Sequence, residues 1–178
     1  MRRVVVFGTT GSGKSWLAER LAKREGLRLI ELDALFWGPD WQGAPDELFR
    51  HRVERETRDD GRDGDGWVVV GNYSGVRDLT WRVADTLVWI DLPLGLVMWR
   101  LLRRTIRRAI TREDLWGTGN RETLRNAFFS RQSILLYALK THRRNRARFA
   151  VDCQFLGKDK TVVRLQSARE VERFLASA

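Results

Sequence analysis

Gly8-Thr9-Thr10-Gly11-Ser12-Gly13-Lys14-Ser15 matches G-x-x-x-x-G-K-[ST] at every fixed position. Glycines at that spacing let a chain turn tightly and aim its backbone N–H groups at an anion. A helix starting there adds partial positive charge. Lys14 is placed to reach the β- and γ-phosphates of a nucleoside triphosphate, and the Ser15 hydroxyl to ligate Mg²⁺. The expected donor ligands are therefore ATP and Mg²⁺, held by Gly8 through Ser15 and the backbone of Trp16.

Other stretches carry chemistry of their own. Glu31 and Asp33 close an apolar run, and strand alternation would point both carboxylates the same way. Such a pair can hold Mg²⁺ through water and orient or deprotonate an attacking hydroxyl. Phe36-Trp37-Gly38-Pro39-Asp40-Trp41 either lines an acceptor pocket, with Trp37 against the acceptor, or pins a loop; both stay open. Asn72 and Tyr73 offer hydrogen bonds to an acceptor, and Arg77 a charged fork for phosphate or carboxylate. Arg100, Arg103, Arg104, Arg107 and Arg108 recur at helical spacing, with Met98, Leu102, Ile106 and Ala109 expected on the opposite, apolar face. Arg112 and Arg121 flank Gly117 and Gly119 in a stretch suited to a lid over roughly residues 103–128. The run Lys140 to Arg148 contains no acid and reads as a solvated helix end or a polyanion patch. His51 and His142 show no metal-ligand spacing.

These groups need a frame. Arg3–Phe7, Arg28–Leu32, Trp67–Val70, Thr86–Asp91 and Thr161–Leu165 read as strands. Between them lie helical patterns over Lys14–Arg24, Pro45–Arg58, Pro93–Ile110, Glu122–Arg148 and Ala168–Ala176. Strands alternating with helices predict an α/β sandwich around a parallel sheet, whose strand C-terminal ends form the ligand crevice. Ser167-Ala168-Arg169-Glu170 has the form of a capping box. Asp59 to Gly66 reads as a solvated turn, since it lacks the glutamate that ends a calcium loop.

The 178 residues suit one domain, and 43% hydrophobic content gives it a full core. A single cysteine, Cys153, cannot form an internal disulfide, which fits a cytoplasmic protein. No run is long enough for a spanning helix, so no membrane partner is expected. The net charge of +10 points to anionic partners.

Taken together, the residues resemble the P-loop small-molecule kinases of the adenylate and shikimate kinase type. Leu32-Asp33-Ala34-Leu35-Phe36-Trp37, Gly71-Asn72-Tyr73-Ser74 and Leu115 to Glu122 resemble more narrowly the bacterial adenylate-kinase-related group labelled DNA topology modulation proteins (FlaR-like). That resemblance implies a five-stranded sheet in the order 2-3-1-4-5 with an arginine-bearing lid. It implies roles in Mg²⁺ and acceptor binding for Glu31 and Asp33, and contacts to adenine and phosphate for Arg100 and Arg104. It places Arg77 at the acceptor and Gln166-Ser167-Ala168 near adenine. Trp16 stands where such kinases carry threonine, and Val70 where related sequences carry aspartate. The leading expectation is transfer of the ATP γ-phosphoryl group to a small acceptor, with Lys14, Asp33 and Arg104 catalytic. The alternative is a nucleotide-gated nucleic-acid-binding protein that uses the basic helices. A GTPase switch is disfavoured, since D-x-x-G and N-K-x-D are missing from the expected places. The oligomeric state is not encoded in these patterns.

Overall fold

Val4, Val5, Val6 and Phe7 are all buried, because β1 (Arg3–Gly8) is the central strand of a sheet covered on both faces. The computed structural model describes residues 1–58, 66–122 and 133–177. β2 (Arg28–Glu31), β3 (Trp67–Val70), β4 (Thr86–Ile90) and β5 (Thr161–Leu165) complete a parallel sheet ordered β2-β3-β1-β4-β5. β3 and β4 are buried along their length and β1 from Val4 onward, while β5, at an edge, is exposed except at Val163 and Leu165.

Alternation along β1 assigns its side chains to two cores. Val4 and Val6 pack with Val68 and Val88 against Leu17 and Leu21 of α1 (Lys14–Glu25) and Val171 of α7 (Ala168–Ser177). Val5 and Phe7 pack on the other face with Leu87, with Phe49 and Val53 of α3 (Asp46–Thr57) and with Phe149 of α6 (Ile134–Leu156). The Phe7 ring lies 4.3 Å from Trp81 and 5.3 Å from Phe149. Two short helices, α2 (Leu32–Phe36) and α4 (Arg77–Thr80), follow β2 and β3, and the long α5 (Leu94–Thr111) follows β4.

The expected strands and most helices stand within a residue or two of their places. Three expectations are corrected. The second strand stops at Glu31, and Asp33 lies in the first turn of α2 instead of on a strand. The last long helix runs on to Leu156, since no helix breaker precedes Gly157 and Phe149 and Cys153 pack into the core. Part of its expected N-terminal portion falls on residues 123–132, outside the described residues. On α5 the buried stripe is Val97, Leu101 and Thr105, with Ile106 39% exposed. The long arginines at 100, 104 and 108 flank that stripe and reach toward the sheet edge, which the apolar pattern alone did not reveal.

The capping box at α7 is present: the Glu170 N–H donates to Ser167 Oγ at 3.2 Å, and the Gln166 N–H to Glu170 Oε2 at 2.8 Å. Among the described residues, no helix is long and apolar enough to cross a membrane. The expected calcium-free turn at Asp59–Asp65 lies outside the described residues.

Candidate active site

Between β1 and α1 the chain makes the turn the motif demands. Gly11 has φ 79°, and a Cβ added there would stand 2.9 Å from Leu101 Cβ, so a side chain fits neither the backbone nor the space. Gly13 (φ 92°) caps α1, whose first turn contains no acid. The Ser12 Oγ is buried without a hydrogen-bond partner among the described residues. An orphaned hydroxyl inside a loop of inward N–H groups fits a phosphate oxygen. The Arg100 Nη1 donates to the Ser12 carbonyl at 3.3 Å and so lies across the loop.

Lys14 opens α1 directly beneath the carboxylates. Burial pushes its pKa below the ordinary amine range; Asp33 and Glu31 draw it back up, while Arg104 lowers it further. Lys14 is thus in electrostatic reach of Asp33, Arg104 and Glu31. Burial raises the Glu31 pKa, opposed by the hydrogen bond that Trp116 Nε1 donates to Glu31 Oε2 at 3.1 Å. Tyr73 Oη donates to Asp33 Oδ1 at 2.7 Å, and burial followed by the Asp33 charge drives the phenol pKa strongly upward. Tyr73 therefore stays a proton donor that orients Asp33.

Arg104 and Arg108 converge on Glu122, at 3.5 Å and 3.0 Å. Burial lowers the Arg104 pKa and Glu122 opposes that shift. The Nε atoms of both arginines and Glu122 Oε2 lack hydrogen-bond partners among the described residues. Arg108 Nε also lies 3.4 Å from Glu113 Oε1, so Arg104, in electrostatic reach of Lys14, keeps the unfilled donor of the pair.

On the other side of the loop a cavity of about 280 Å³ is lined by Ser12, Gly13, Trp16, Arg100, Ala168, Val171 and Glu172. It unites the phosphate loop with the N-terminus of α7, where a nucleotide base could sit. Trp16 is 42% exposed, with the Arg20 guanidinium 4.1 Å from its ring centre.

Several expected acceptor residues have other partners. Asn72 binds the Gly8 backbone, donating from Nδ2 to the carbonyl at 2.5 Å and accepting the N–H at Oδ1 over 3.3 Å. Arg77 pairs with Asp152 at 2.7 Å through Nη1 and lies 4.6 Å from the Trp81 ring centre, which ties it to α6, while its Nε and Nη2 are buried without a hydrogen-bond partner among the described residues. Arg112 ends α5 in a left-handed conformation (φ 50°) with its side chain exposed, and Arg121 is exposed too. Trp37 packs edge-on against Phe36 and Trp41, which makes the aromatic stretch a packed cluster.

The glycines of the expected lid take positive φ, 69° at Gly117 and 78° at Gly119, inside a turn closed by the Leu115 N–H to the Asn120 carbonyl. Buried Asn120 fastens that turn to the aromatic loop: its Nδ2 donates to the Gly38 carbonyl at 2.8 Å, and its Oδ1 accepts the Trp41 N–H at 3.0 Å. Asp40, Trp41 and Trp116 have φ of 54°, 57° and 58°, unusual for non-glycine residues and gathered at this one contact. Residues 123–128 of the expected lid lie outside the described residues.

Trp116, Asn120, Glu122 and Glu172 were not singled out as site residues. Trp116, Asn120 and Glu122 stand in the stretch Leu115 to Glu122, whose motif resemblance could have marked them; Glu172 does not. The basic run after Lys140 is partly paired: Arg146 with Asp91 at 3.0 Å, Arg148 with Asp152 at 3.8 Å. His142 is buried, its Nε2 3.2 Å from the Leu92 carbonyl oxygen.

The donor set fits the expected ligands. Ser15, Glu31 and Asp33 offer hard oxygens suited to Mg²⁺. Among the described residues no three His, Cys, Asp or Glu side chains form a self-sufficient metal cluster. A cation completed by phosphates and water needs no such cluster.

No family model matches the chain, and no curated protein does. Among solved structures, a sugar kinase from Janibacter sp. HTCC2649 superposes with a TM-score of 0.54 at 20% identity, covering 99% of this chain and 93% of that one. A gluconokinase from Sinorhizobium meliloti 1021 gives a TM-score of 0.49 at 20% identity, covering 99% and 92%. At such identity the likeness is one of fold: the chain has the α/β architecture of the first of these kinases, five parallel strands ordered β2-β3-β1-β4-β5 between two helical layers.

Proposed function

We propose that the chain is an ATP-dependent phosphotransferase that moves the γ-phosphoryl group to a hydroxyl of a small acceptor. The observation that carries this reading is the phosphate loop itself, its Ser12 hydroxyl buried without a hydrogen-bond partner among the described residues and Arg100 lying across it, with Lys14 in electrostatic reach of Asp33, Arg104 and Glu31. Phosphoryl transfer asks a protein mainly for position and charge. Backbone amides of the loop hold the donor phosphates, and Lys14 bears on the β- and γ-oxygens. Arg100, lying across the loop, contacts the triphosphate and one wall of the base cavity. Arg104 balances charge as the bond from the γ-phosphorus to the bridging oxygen breaks. Asp33, fixed by Tyr73, accepts the acceptor hydroxyl's proton as its oxygen bonds to phosphorus, and ADP leaves. Ser15, Glu31 and Asp33 would hold Mg²⁺, which when bound neutralises phosphate oxygens.

The fold neighbour described as a sugar kinase supports a kinase-like activity, and the sequence resemblance supports a place near the adenylate-kinase-related group. The test is ADP release from ATP with a panel of hydroxyl-bearing acceptors, beside calorimetry of ATP binding. We expect Lys14→Ala to lower turnover by roughly 10²–10³-fold, as removal of one group stabilising transition-state charge does. No heat of ATP binding, together with no acceptor-stimulated ADP release, overturns the proposal.

A further inference from the structure

The acceptor's chemistry can be read from which groups remain uncommitted on the acceptor side. This step rests on the phosphotransferase reading and concerns the acceptor alone. At the C-terminal ends of β2 and β3 stand the carboxylates of Glu31 and Asp33, the Tyr73 hydroxyl bound to Asp33, and the indoles of Trp37, Trp41 and Trp116. Trp41 and Trp116 meet edge-on, with ring centres 6.1 Å apart, and Trp116 also donates to Glu31.

A phosphate or carboxylate on the acceptor would need a cationic fork here. The arginines of the neighbouring α3 and α4 do not supply one. Arg50 grips Asp78 through two hydrogen bonds, at 2.9 Å and 2.6 Å, and also donates to the Gly75 carbonyl. Arg52 donates to the Leu35 carbonyl at 2.8 Å. Arg77 binds Asp152 through Nη1, and its Nε and Nη2, which have no hydrogen-bond partner among the described residues, are buried away from the surface. Lys14 and Arg104 face Asp33 from the donor side, where the triphosphate needs them. Among the described residues, the countercharge of Lys14, Arg104 and a bound Mg²⁺ is met by the triphosphate, so an anionic acceptor would set its charge beside the Glu31 and Asp33 carboxylates with no cation left to balance it.

The same groups suit a ligand with many hydroxyls. Carboxylates accept hydroxyl hydrogens, and indole faces cover the apolar side of a ring while their edges tolerate polar neighbours. We infer that the acceptor is an uncharged polyhydroxylated compound, a free sugar or the ribose of a nucleoside. Its hydroxyls donate to Glu31 and Asp33, and its ring lies against the tryptophan cluster. Acceptors bearing phosphate or carboxylate are refused.

The test compares matched pairs: glucose with gluconate, ribose with ribose 5-phosphate, adenosine with AMP. ADP release and intrinsic tryptophan fluorescence are both read on the full chain after ATP binding has been established by calorimetry. At least one neutral member should exceed its anionic partner by more than tenfold in kcat/KM and should perturb fluorescence without nucleotide. Stimulation by glucose or ribose assigns a sugar; stimulation by adenosine alone assigns a nucleoside. In Glu31→Gln, with its fold checked by circular dichroism, the neutral-to-anionic ratio should shrink about tenfold. If anionic members match or surpass neutral ones, or if no neutral member binds while ATP does, the inference is overturned and the phosphotransferase reading survives. If an anion wins and Arg121→Ala abolishes it, exposed Arg121 supplies the fork denied here. Absence of ATP binding overturns both.

Discussion

The Asn72 carboxamide closes a two-way hydrogen-bonded pair with the Gly8 backbone, 64 residues earlier, so the end of β3 holds the first residue of the phosphate loop. Gly8 has φ 154°, and a Cβ there would sit 2.5 Å from the Ile90 carbonyl oxygen. The loop is thus clamped between β3 and β4 before any ligand arrives. Preorganisation of this kind keeps the N–H groups aimed without reordering on binding.

Asn72→Ala removes both bonds and leaves the Gly8 N–H and C=O short of partners in a partly buried place. The expected loss is about 1–3 kcal/mol of stability, seen as a lower Tm. ATP affinity should weaken about tenfold by calorimetry, since the loop must then order on binding. Unchanged ATP affinity in a folded variant would deny Asn72 its clamping role.

Tyr73→Phe tests the orienter of Asp33. The phenol donates at 2.7 Å, and its own proton is strongly retained. A hydrogen bond to a charged group contributes roughly 1.5–3 kcal/mol, so its loss should lower acceptor kcat/KM about 10- to 100-fold. ATP affinity should stay nearly level, because Tyr73 touches the acceptor carboxylate and not the phosphate loop. An equal fall in both would place the effect in general loosening of the fold.

Cys153 gives a pH signature independent of activity. Burial pushes its thiol pKa up to about 11, with Asp152 adding to the rise and Arg164 and Arg77 opposing it. Alkylation by iodoacetamide at pH 8 should run on the order of a hundredfold slower in the folded protein than in urea, where thiolate is far more abundant. The linkage sign follows. A raised folded pKa means the native state favours the neutral thiol. Its stabilising contribution is therefore complete below the unfolded value near 9 and is lost as pH rises through about 11. A Cys153→Ala variant should show a shallower fall of Tm over that window, and equal slopes would contradict the buried-thiol account.

The sequence made some of this legible and concealed the rest for physical reasons. The phosphate loop is local chemistry, and its eight residues carry the turn, the lysine and the hydroxyl together. Buried parallel strands such as Trp67–Val70 announce themselves as unbroken apolar runs. The strand order came with the kinase resemblance and stands in the sheet. Arg77 and Asn72 were harder, because their roles depend on Asp152 and Gly8, 75 and 64 residues away. A single sequence without pairing information gives no sign of such partners. The face of α5 was also obscure: Met98, Leu102 and Ile106 form a regular apolar stripe, yet the stripe Val97, Leu101 and Thr105 is the buried one. Spacing fixes the period of a helix and leaves its rotation to tertiary packing.

Glu122 offers the most discriminating variant. It draws together Arg104 and Arg108 with a side chain only 15% exposed, while one of its oxygens and the Arg104 Nε lack hydrogen-bond partners among the described residues and the Arg108 Nε lies 3.4 Å from Glu113 Oε1. The carboxylate thereby offsets the repulsion between Arg104 and Arg108. Glu122→Gln keeps the volume and removes the charge. The fold should lose about 1–3 kcal/mol, because Glu113 is then the one carboxylate among the described residues paired with Arg108 and the two arginines repel more strongly. ATP should bind several-fold more tightly, since a triphosphate becomes the available anion. The salt dependence of that affinity should steepen as more uncompensated cationic charge meets phosphate. Weaker ATP binding in a folded Glu122→Gln protein would mean that the carboxylate positions the arginines for nucleotide instead of competing with it, and a full ATP titration at two ionic strengths separates the two outcomes.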